Sequence, residues 1–293
     1  MRFFIKSVAF LGLFLLMDYS LFFLLKRGLD KYYGFGKSPD ILIVGSSASL
    51  SGYDVDLMEA TLGRKVALYA QEGSSLELRY IMLNHFLEKN KGSVSLVLFE
   101  VSPRNFFNRG LAANSHKLFY PYMDDPVIDE YITSAETKTT TYYIHKLIKT
   151  SRFNHHLLKY SFQGHMGFNK NVKGSTVDTT SIARHDTEEL EAIILDSIKV
   201  KTLMKSINLI RETNASAILI NFPVTTFLQE TYNKEDYDQY INLLCNIAQI
   251  FEGVSFIDLN VDECNDYSLF SDRGHLNRIG QLKFTKEICK NLD

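Results

Sequence analysis

Short runs of consecutive apolar residues alternate with amphipathic stretches along most of the chain. Apolar runs of this length, closed by Gly or polar residues, are typical of strands that are buried on both faces. There are five of them, and they read ILIVG (41–45), KVALYA (65–70), VSLVLFEV (94–101), SAILINF (216–222) and VSFID (254–258). The stretches between and after them have helical spacing, the longest from Thr187 to Thr213. This order predicts an α/β fold, a three-layer α/β/α arrangement with a mostly parallel, flavodoxin-like sheet.

The first 27 residues form a separate, strongly apolar segment. Between Lys6 and Lys26 the sequence reads SVAFLGLFLLMDYSLFFLL, and roughly 20 apolar residues span a bilayer as a helix. No small-x-small cleavage site follows before Lys26. The pattern predicts an uncleaved membrane anchor (1–27) that crosses the membrane through residues 7–25, followed by a linker (28–40). A cleaved signal peptide and a buried core helix are the alternatives.

Asp18 interrupts this apolar segment. An ionisable group near the middle of a membrane costs about 2.5–3.5 kcal/mol on insertion scales and often marks a partner or a pore. One interpretation is that Asp18 pairs with a polytopic membrane protein. The other is a protonated Asp that a single span tolerates. Positive charges flank the segment on both sides, so charge counting leaves its orientation open.

The α/β pattern predicts one domain over residues 41–293, with an insertion at about 109–186 where the alternation stops. This insertion is polar and rich in Tyr and Thr, and it contains one predicted amphipathic helix from Thr141 to Tyr160. Its position at the ligand-binding edge of the sheet is typical of a lid or a partner surface. An elaboration that only packs against the domain is the alternative.

Composition and charge exclude several classes of function. A formal net charge of -2 argues against a dedicated nucleic-acid binder. The three Cys (Cys245, Cys264 and Cys289) match neither a disulfide framework nor a zinc motif. The His residues show no spacing that is typical of metal ligands. We therefore expect no nucleic-acid partner, no metal and no cofactor.

Two motifs near opposite ends of the predicted domain carry candidate chemistry. GSSASLSG (45–52) follows the first strand, at the sheet edge where parallel sheets bind ligands. FSDRGHLNRIGQLKF (270–284) places Asp272 three residues before His275, directly ahead of a predicted helix. A serine becomes a nucleophile when a base takes its proton and a third group orients that base. The serine-rich turn alone also resembles a phosphate-binding loop, although it lacks the Lys and the third Gly of the known phosphate motifs.

Together the two motifs resemble the SGNH (GDSL-like) hydrolase superfamily, whose catalytic blocks lie at the two ends of the domain. The first block of that family is G-D-S, and Gly45-Ser46-Ser47 is similar to it, with Ser in place of Asp. The last block, D-x-x-H, is matched by Asp272-Arg273-Gly274-His275. The resemblance implies that Ser47 is the nucleophile, His275 the base and Asp272 its orienting partner. Ser46, Ser49 and Ser51 are rivals only if the alignment slips.

The resemblance also implies an oxyanion hole, and here the match is incomplete. Gly73 in AQEGSS is similar to the second-block Gly, whose N–H helps to bind the oxyanion. The third block is usually G-x-N-D, whereas this chain reads EVSPRNFFN, in which Asn105 is the nearest candidate. Losing one oxyanion donor typically costs about 10²–10³ in rate. The departure predicts a slow or specialised enzyme, or a degenerate one.

The G-S-S variant on an N-terminal anchor resembles a narrower group, the membrane-anchored proteins of bacterial cell-envelope acylation that act in teichoic-acid D-alanylation or alginate acetylation. This resemblance implies a single span of the cytoplasmic membrane, an extracytoplasmic domain and a polytopic membrane acyltransferase as partner. We predict a serine-dependent acyl esterase or acyltransferase acting on a cell-envelope carbohydrate or an acyl carrier, with acetyl as the first candidate acyl group. The alternatives are a non-catalytic accessory protein that binds glycan or the acyltransferase, and a phosphate-binding protein that uses residues 45–51.

Overall fold

The structure, a computed structural model, describes residues 1–106, 115–135, 138–167, 192–260 and 264–292. The chain divides into two compact units. The helical unit comprises residues 1–36 and 114–169, and the α/β unit comprises residues 37–113 and 170–293. In chain order the helices are α1 (Arg2–Tyr33), α2 (Ser47–Gly52), α3 (Val55–Leu62), α4 (Leu76–Lys89), α5 (Pro126–Ala135), α6 (Thr140–Leu147), α7 (His155–Met166), α8 (Ser197–Glu212), α9 (Thr226–Gln229), α10 (Lys234–Ile250) and α11 (Arg278–Lys290).

A five-stranded parallel sheet forms the centre of the α/β unit. Its strands are β1 (Ile41–Gly45), β2 (Val66–Ala70), β3 (Leu96–Val101), β4 (Ser216–Asn221) and β5 (Val254–Asp258), arranged in the order β2-β1-β3-β4-β5. Every neighbouring pair is parallel. All residues of β1, β2 and β3 are buried, as expected for largely apolar central strands, and Glu100 of β3 is the one charged residue among them. The predicted α/β fold with a mostly parallel sheet and helices on both faces is confirmed.

The last helix joins the two ends of the α/β unit. Phe284 and Ile288 of α11 pack in the same core cluster as Ile41 and Ile43 of β1. The α11 side chains also hold the backbone that follows α2, where Gln281 donates a hydrogen bond to the Tyr53 carbonyl at 3.0 Å. A short antiparallel hairpin, β6 (Phe270–Asp272) and β7 (His275–Leu276), immediately precedes α11. The hairpin is therefore carried to the end of β1 by the packing of α11.

The helix α8 begins later than the sequence pattern indicates. It starts at Ser197, because the Asp196 side chain caps it by accepting hydrogen bonds from the N–H groups of Ile198 and Lys199. The predicted helix start at Thr187 lies outside the described residues.

Helix α1 is long and apolar enough to serve as a membrane anchor or a signal sequence, with a mean hydropathy of 2.2 over its most apolar 18 residues. It extends beyond the predicted anchor, and residues 28–33 of the predicted linker are helical. Leu29 and Tyr33, four residues apart, are buried on one face of this extension. The helix ends where Gly34 adopts the left-handed conformation with φ of 84°.

The insertion does not contain the single helix predicted from Thr141 to Tyr160. Helices α6 and α7 are separated by a 3-10 helix (Lys149–Arg152), and Asn154 caps α7 by accepting a hydrogen bond from the Leu157 N–H. Residues 114–169 of the insertion belong to the helical unit. Residues 109–114, 136–137 and 168–186 of the predicted insertion lie outside the described residues.

Asp18 has an intramolecular role that neither sequence interpretation anticipated. Its buried carboxylate accepts hydrogen bonds from the backbone N–H groups of Lys149 and Thr150, at 2.8 and 3.0 Å, and from the Thr150 hydroxyl at 2.5 Å. These N–H groups begin the Lys149–Arg152 helix and have no partner within it. Asp18 therefore caps that short helix and fixes it to the middle of α1.

Candidate active site

Ser47 is the first residue of α2, directly beyond the end of β1. The turn before it is compact, because a Cβ on Gly45 would lie 1.9 Å from the Ser49 hydroxyl oxygen and 2.5 Å from a Glu100 carboxylate oxygen. Only glycine fits at this position. The Ser46 side chain caps α2 by accepting a hydrogen bond from the Ala48 N–H. The end of β1 and the Ser46 cap together fix the backbone position of Ser47.

The β6–β7 hairpin carries Asp272 and His275, which face each other across its two strands. On one side, the Thr225 N–H and hydroxyl both donate to the Arg273 carbonyl, at 2.9 and 3.0 Å. On the other side, the Asn277 amide donates to the carbonyls of Ser268 and Phe270. The hairpin is thus held by hydrogen bonds on both flanks before α11 begins.

The structure brings Ser47, His275 and Asp272 into one hydrogen-bonded chain. The Ser47 hydroxyl lies 2.7 Å from Nε2 of His275, and Nδ1 of His275 lies 2.8 Å from the nearer Asp272 carboxylate oxygen. Because a carboxylate only accepts hydrogen bonds, the imidazole proton belongs on Nδ1, which leaves Nε2 to accept the Ser47 proton. This is the arrangement that general-base activation of a serine requires.

The environment of Asp272 favours its ionised form. Burial raises the pKa of this carboxyl. The hydrogen bond and charge of His275, together with the hydrogen bond from the Gly274 N–H at 2.8 Å, lower the pKa by more than burial raises it. The net pKa lies below the ordinary aspartate value. Asp272 can therefore stabilise a positive charge on His275 as it forms.

The other serines of the turn are engaged elsewhere. The Ser46 and Ser49 hydroxyls each donate to Glu100 at 2.6 Å, and the Ser51 hydroxyl donates to the Ser47 carbonyl at 3.1 Å. Within the described part of the chain, Ser47 is the one serine of this turn that contacts His275.

Gly73 and Asn105 line the same cavity as Ser47 and His275. Gly73 has φ of 65° and follows β2. The Asn105 side chain is buried, and its oxygen accepts hydrogen bonds from Arg79 at 2.9 Å and from the Ser102 N–H at 3.1 Å. This leaves the Asn105 NH₂ group to donate, and no described residue accepts from it. Asn105 thus lines the cavity with its oxygen already engaged by Arg79 and Ser102.

Two residues of the candidate site were not predicted from the sequence, Arg79 on α4 and Glu100 on β3. Both are 1% exposed, and they form an ion pair at 3.0 Å. Arg79 also donates to the Ser74 hydroxyl at 3.1 Å and to the Glu100 carbonyl at 2.7 Å, in addition to Asn105. A single buried guanidinium therefore connects the segments after β2 and β3. A charged residue within the apolar run LVLFEV was the available sequence signal.

Glu100 fixes the nucleophile turn. One carboxylate oxygen accepts from the Ser46 hydroxyl and from Arg79, and the other accepts from the Ser46 N–H (2.6 Å), the Ser49 N–H (3.1 Å) and the Ser49 hydroxyl. Burial raises the pKa of Glu100, whereas Arg79 and these hydrogen bonds lower it, and the net pKa is below the ordinary glutamate value. Glu100 thus supplies a carboxylate to the turn that contains Ser46 from the neighbouring strand.

The cavity in front of Ser47 has a volume of about 160 Å³. Its walls include the apolar side chains Ala48, Val101, Phe222, Val224 and Leu228. Pockets for drug-sized ligands measure about 300–1,000 Å³, so this one fits a much smaller group. The exposed Arg104 also lines it. Over the described ranges, no group of three or more His, Cys, Asp or Glu is placed to hold a metal ion.

Comparisons with known proteins found distant structural similarity alone. No protein-family model matches the chain, and no curated protein matches it either. Among solved structures, one similar chain is a candidate acylhydrolase from Bacteroides fragilis, with a TM-score of 0.42, 8% identity and coverage of 86% of this chain and 85% of the other. Another is a family two carbohydrate esterase from Clostridium thermocellum, solved with cellohexaose, with a TM-score of 0.40, 9% identity and coverage of 86% and 62%. Chains this distant can act on unrelated substrates. Membership of the SGNH superfamily therefore stays a prediction.

Proposed function

We propose that this protein is a membrane-anchored, serine-dependent acyl esterase or acyltransferase. The observation that carries the proposal is the hydrogen-bonded chain from Ser47 through His275 to Asp272, which opens into a cavity lined by Gly73 and Asn105. A nucleophile, a base, an orienting carboxylate and oxyanion donors are the complete set that acyl transfer requires.

The first half of the reaction forms an acyl-enzyme. The Ser47 oxygen attacks the carbonyl carbon of an ester or thioester while His275 takes the serine proton on Nε2. Asp272 stabilises the imidazolium that results. The N–H groups of Ser47 and Gly73 and the Asn105 amide donate to the negative oxygen of the tetrahedral intermediate. The intermediate then expels the leaving group, which takes the proton from His275.

The second half regenerates the serine. His275 removes a proton from water, or from the hydroxyl of an acceptor, and that oxygen attacks the acyl-serine carbonyl. A second tetrahedral intermediate collapses, Ser47 recovers its proton from His275, and the product is a free acid or a new ester. Water gives esterase activity and a hydroxyl gives acyltransferase activity, so access of the acceptor to the cavity decides between them.

The size of the cavity and the anchor support a substrate class. A cavity of about 160 Å³ with apolar walls favours a short acyl group, with acetyl as the first candidate. The apolar helix α1 would hold the enzyme at the cytoplasmic membrane as a single span, with the large domain on the extracytoplasmic side. By the resemblance drawn above, the acceptor would be a cell-envelope carbohydrate or an acyl carrier. A polytopic membrane acyltransferase would be the partner.

Hydrolysis of p-nitrophenyl esters by the full chain in detergent tests the proposal. We expect hydrolysis of the acetate ester, and a loss of about 10³-fold or more in kcat for both Ser47→Ala and His275→Ala. Ser51→Ala, on the same short helix, is the matched control and should keep its activity. Equal rates in all four proteins would overturn the assignment of Ser47 and His275.

A fluorophosphonate probe separates the enzyme from a non-catalytic accessory protein. The probe reacts only with an activated serine, so we expect stoichiometric labelling at Ser47 that His275→Ala abolishes. Wild-type protein that stays unlabelled and still binds glycan would favour the accessory function.

A further inference from the structure

The part of α1 that precedes its first buried residue is too short to cross a bilayer by itself. Every residue from Arg2 to Met17 is exposed, and Asp18 is the first buried residue of the helix. From Phe3 to Met17 the helix is about 22 Å long at roughly 1.5 Å per residue. The hydrocarbon core of a bilayer is about 30 Å thick. A spanning α1 must therefore include residues beyond Asp18 in the membrane.

Those further residues of α1 are in contact with the insertion. Asp18 caps the Lys149–Arg152 helix, and the ring of Phe22 lies 6.1 Å from that of Phe153. The segment between α6 and α7 is thus fixed at the depth of the last turns of the span. Asp18 accepts hydrogen bonds from the backbone N–H groups at the break between the helices. Backbone polar groups at membrane depth need such partners, because no water is there to bind them.

Helix α7 packs on α1 in the way that membrane helices pack. A Cβ on Gly164 would lie 1.9 Å from the Gly28 carbonyl oxygen, and one on Gly28 would lie 2.3 Å from the Ser161 carbonyl oxygen. The Ser161 hydroxyl donates to the Leu25 carbonyl at 2.7 Å. Small residues that allow backbones this close, with a hydroxyl bonded across the pair, are typical of helix contacts in membranes.

Helices α6 and α7 of the insertion expose apolar side chains beside this contact. On α7, Leu158, Phe162 and Met166 form an exposed stripe with a spacing of four residues, and Phe162 is 62% exposed. On α6 the exposed apolar residues are Tyr143, Ile144 and Leu147, and Leu147 is 70% exposed. In α1 the exposed residues include Tyr19, Leu21, Phe23 and Leu24, within the same unit.

We propose that a lipid bilayer covers these apolar faces of α6 and α7, so that the insertion lies in the membrane interface beside α1. The inference rests on the proposed membrane anchor. Amphipathic helices in an interface bury their apolar side about 5–10 Å below the headgroups. The polar side of α7, which includes the exposed His156 and Lys159, then meets the headgroups and water. The membrane-spanning part of α1 continues directly into this surface. For that reason we assign lipid, rather than another protein, as the partner of the apolar faces of α6 and α7.

Single tryptophans test the proposal, because the chain has none of its own. Leu147→Trp and Phe162→Trp would be made in the full chain and reconstituted into phosphatidylcholine–phosphatidylglycerol vesicles with or without 6,7-dibromo lipid. Phe10→Trp on α1 reports on the anchor. His156→Trp, on the polar side of α7, is the matched control. All four positions are exposed, so the substitutions leave the packing intact.

We expect bromolipid to quench Leu147→Trp and Phe162→Trp at least about twofold more than His156→Trp, with blue-shifted emission. Quenching of Phe10→Trp alone would overturn the interfacial position of α6 and α7 and leave the anchor standing. If none of the four is quenched, the anchor is wrong and this proposal falls with it. Ester hydrolysis, measured on the same proteins, reports on Ser47 independently of both.

Discussion

Replacing Glu100 by Gln is the most informative single change to the site. The substitution keeps the shape of the side chain and removes its charge. Both carboxylate oxygens accept hydrogen bonds, two on one oxygen and three on the other. Either orientation of the Gln amide turns its NH₂ group toward donors from Arg79 or from the Ser46–Ser49 turn. Two or three hydrogen bonds are therefore lost whichever way the amide points.

The expected cost follows from these contacts. Hydrogen bonds to charged groups contribute about 1.5–3 kcal/mol each, so two of them give about 3–6 kcal/mol. Independently, breaking a fully buried ion pair by removing one partner costs about 3–5 kcal/mol, because it leaves Arg79 charged and uncompensated. The two figures describe the same loss and are not added. We expect the free energy of unfolding to fall by about 3–5 kcal/mol.

Urea denaturation of the full chain in detergent, followed by circular dichroism, measures this loss. Arg79→Met combined with Glu100→Gln is the matched control, since it removes both charges, and it should be less destabilised than the sum of the two single variants. A fall of less than about 1 kcal/mol for Glu100→Gln would refute the reasoning.

In the folded state the pKa of Glu100 is depressed, so its stabilisation is present above the ordinary glutamate pKa. Wild-type protein should lose that stabilisation as the pH falls through the depressed pKa, whereas Glu100→Gln should not.

Three further variants test the site and the helical unit. Asn105→Ala should lower kcat for ester hydrolysis by about 10²–10³ with little change in KM, and an unchanged kcat would remove Asn105 from the oxyanion hole. Asp272→Asn should lower kcat by about 10³–10⁴, because the amide no longer holds the proton on Nδ1 of His275; a full rate would show that this carboxylate is dispensable. Gly164→Ala should destabilise the helical unit by about 1–3 kcal/mol, since its Cβ collides with the Gly28 carbonyl. Gly12→Ala, which meets nothing within 4 Å, is its control in thermal unfolding, and equal melting temperatures would contradict the close packing.

The hydrogen-bonded chain of Ser47, His275 and Asp272 was predictable because its sequence signals are local. A glycine and serines that end an apolar run, and D-x-x-H ahead of a helix, each lie within a few positions. The rule that ligands bind at the carboxyl ends of parallel strands then brings the two together. Arg79 and Glu100 were not predictable in this way. Glu100 meets Ser46 across 54 positions and Arg79 across 21, so no short pattern shows that the three residues share one network.

The errors in the helical unit have the same origin. The apolar spacing from residue 141 to 160 fits one helix, and nothing in that stretch forces it to break. The break is stabilised by Asp18, 131 positions before Lys149. The helical continuation of α1 over residues 28–33 was not predicted, because Leu29 and Tyr33 find buried positions that only the tertiary structure supplies. In both cases contacts distant in sequence override the local pattern.

The separation of Ser47 from His275 along the chain also sets the order in which the candidate site is completed during synthesis. Ser47 and His275 are 228 positions apart, and the β6–β7 hairpin follows every strand of the sheet. A nascent chain that has emerged as far as β5 holds the serine turn and Glu100, but no imidazole lies beside the hydroxyl. Its serine keeps the low reactivity of an ordinary alcohol while the sheet assembles. By the proposed mechanism, the serine becomes reactive only when the final hairpin and α11 are in place, so a stalled or shortened chain would be inert toward acyl groups.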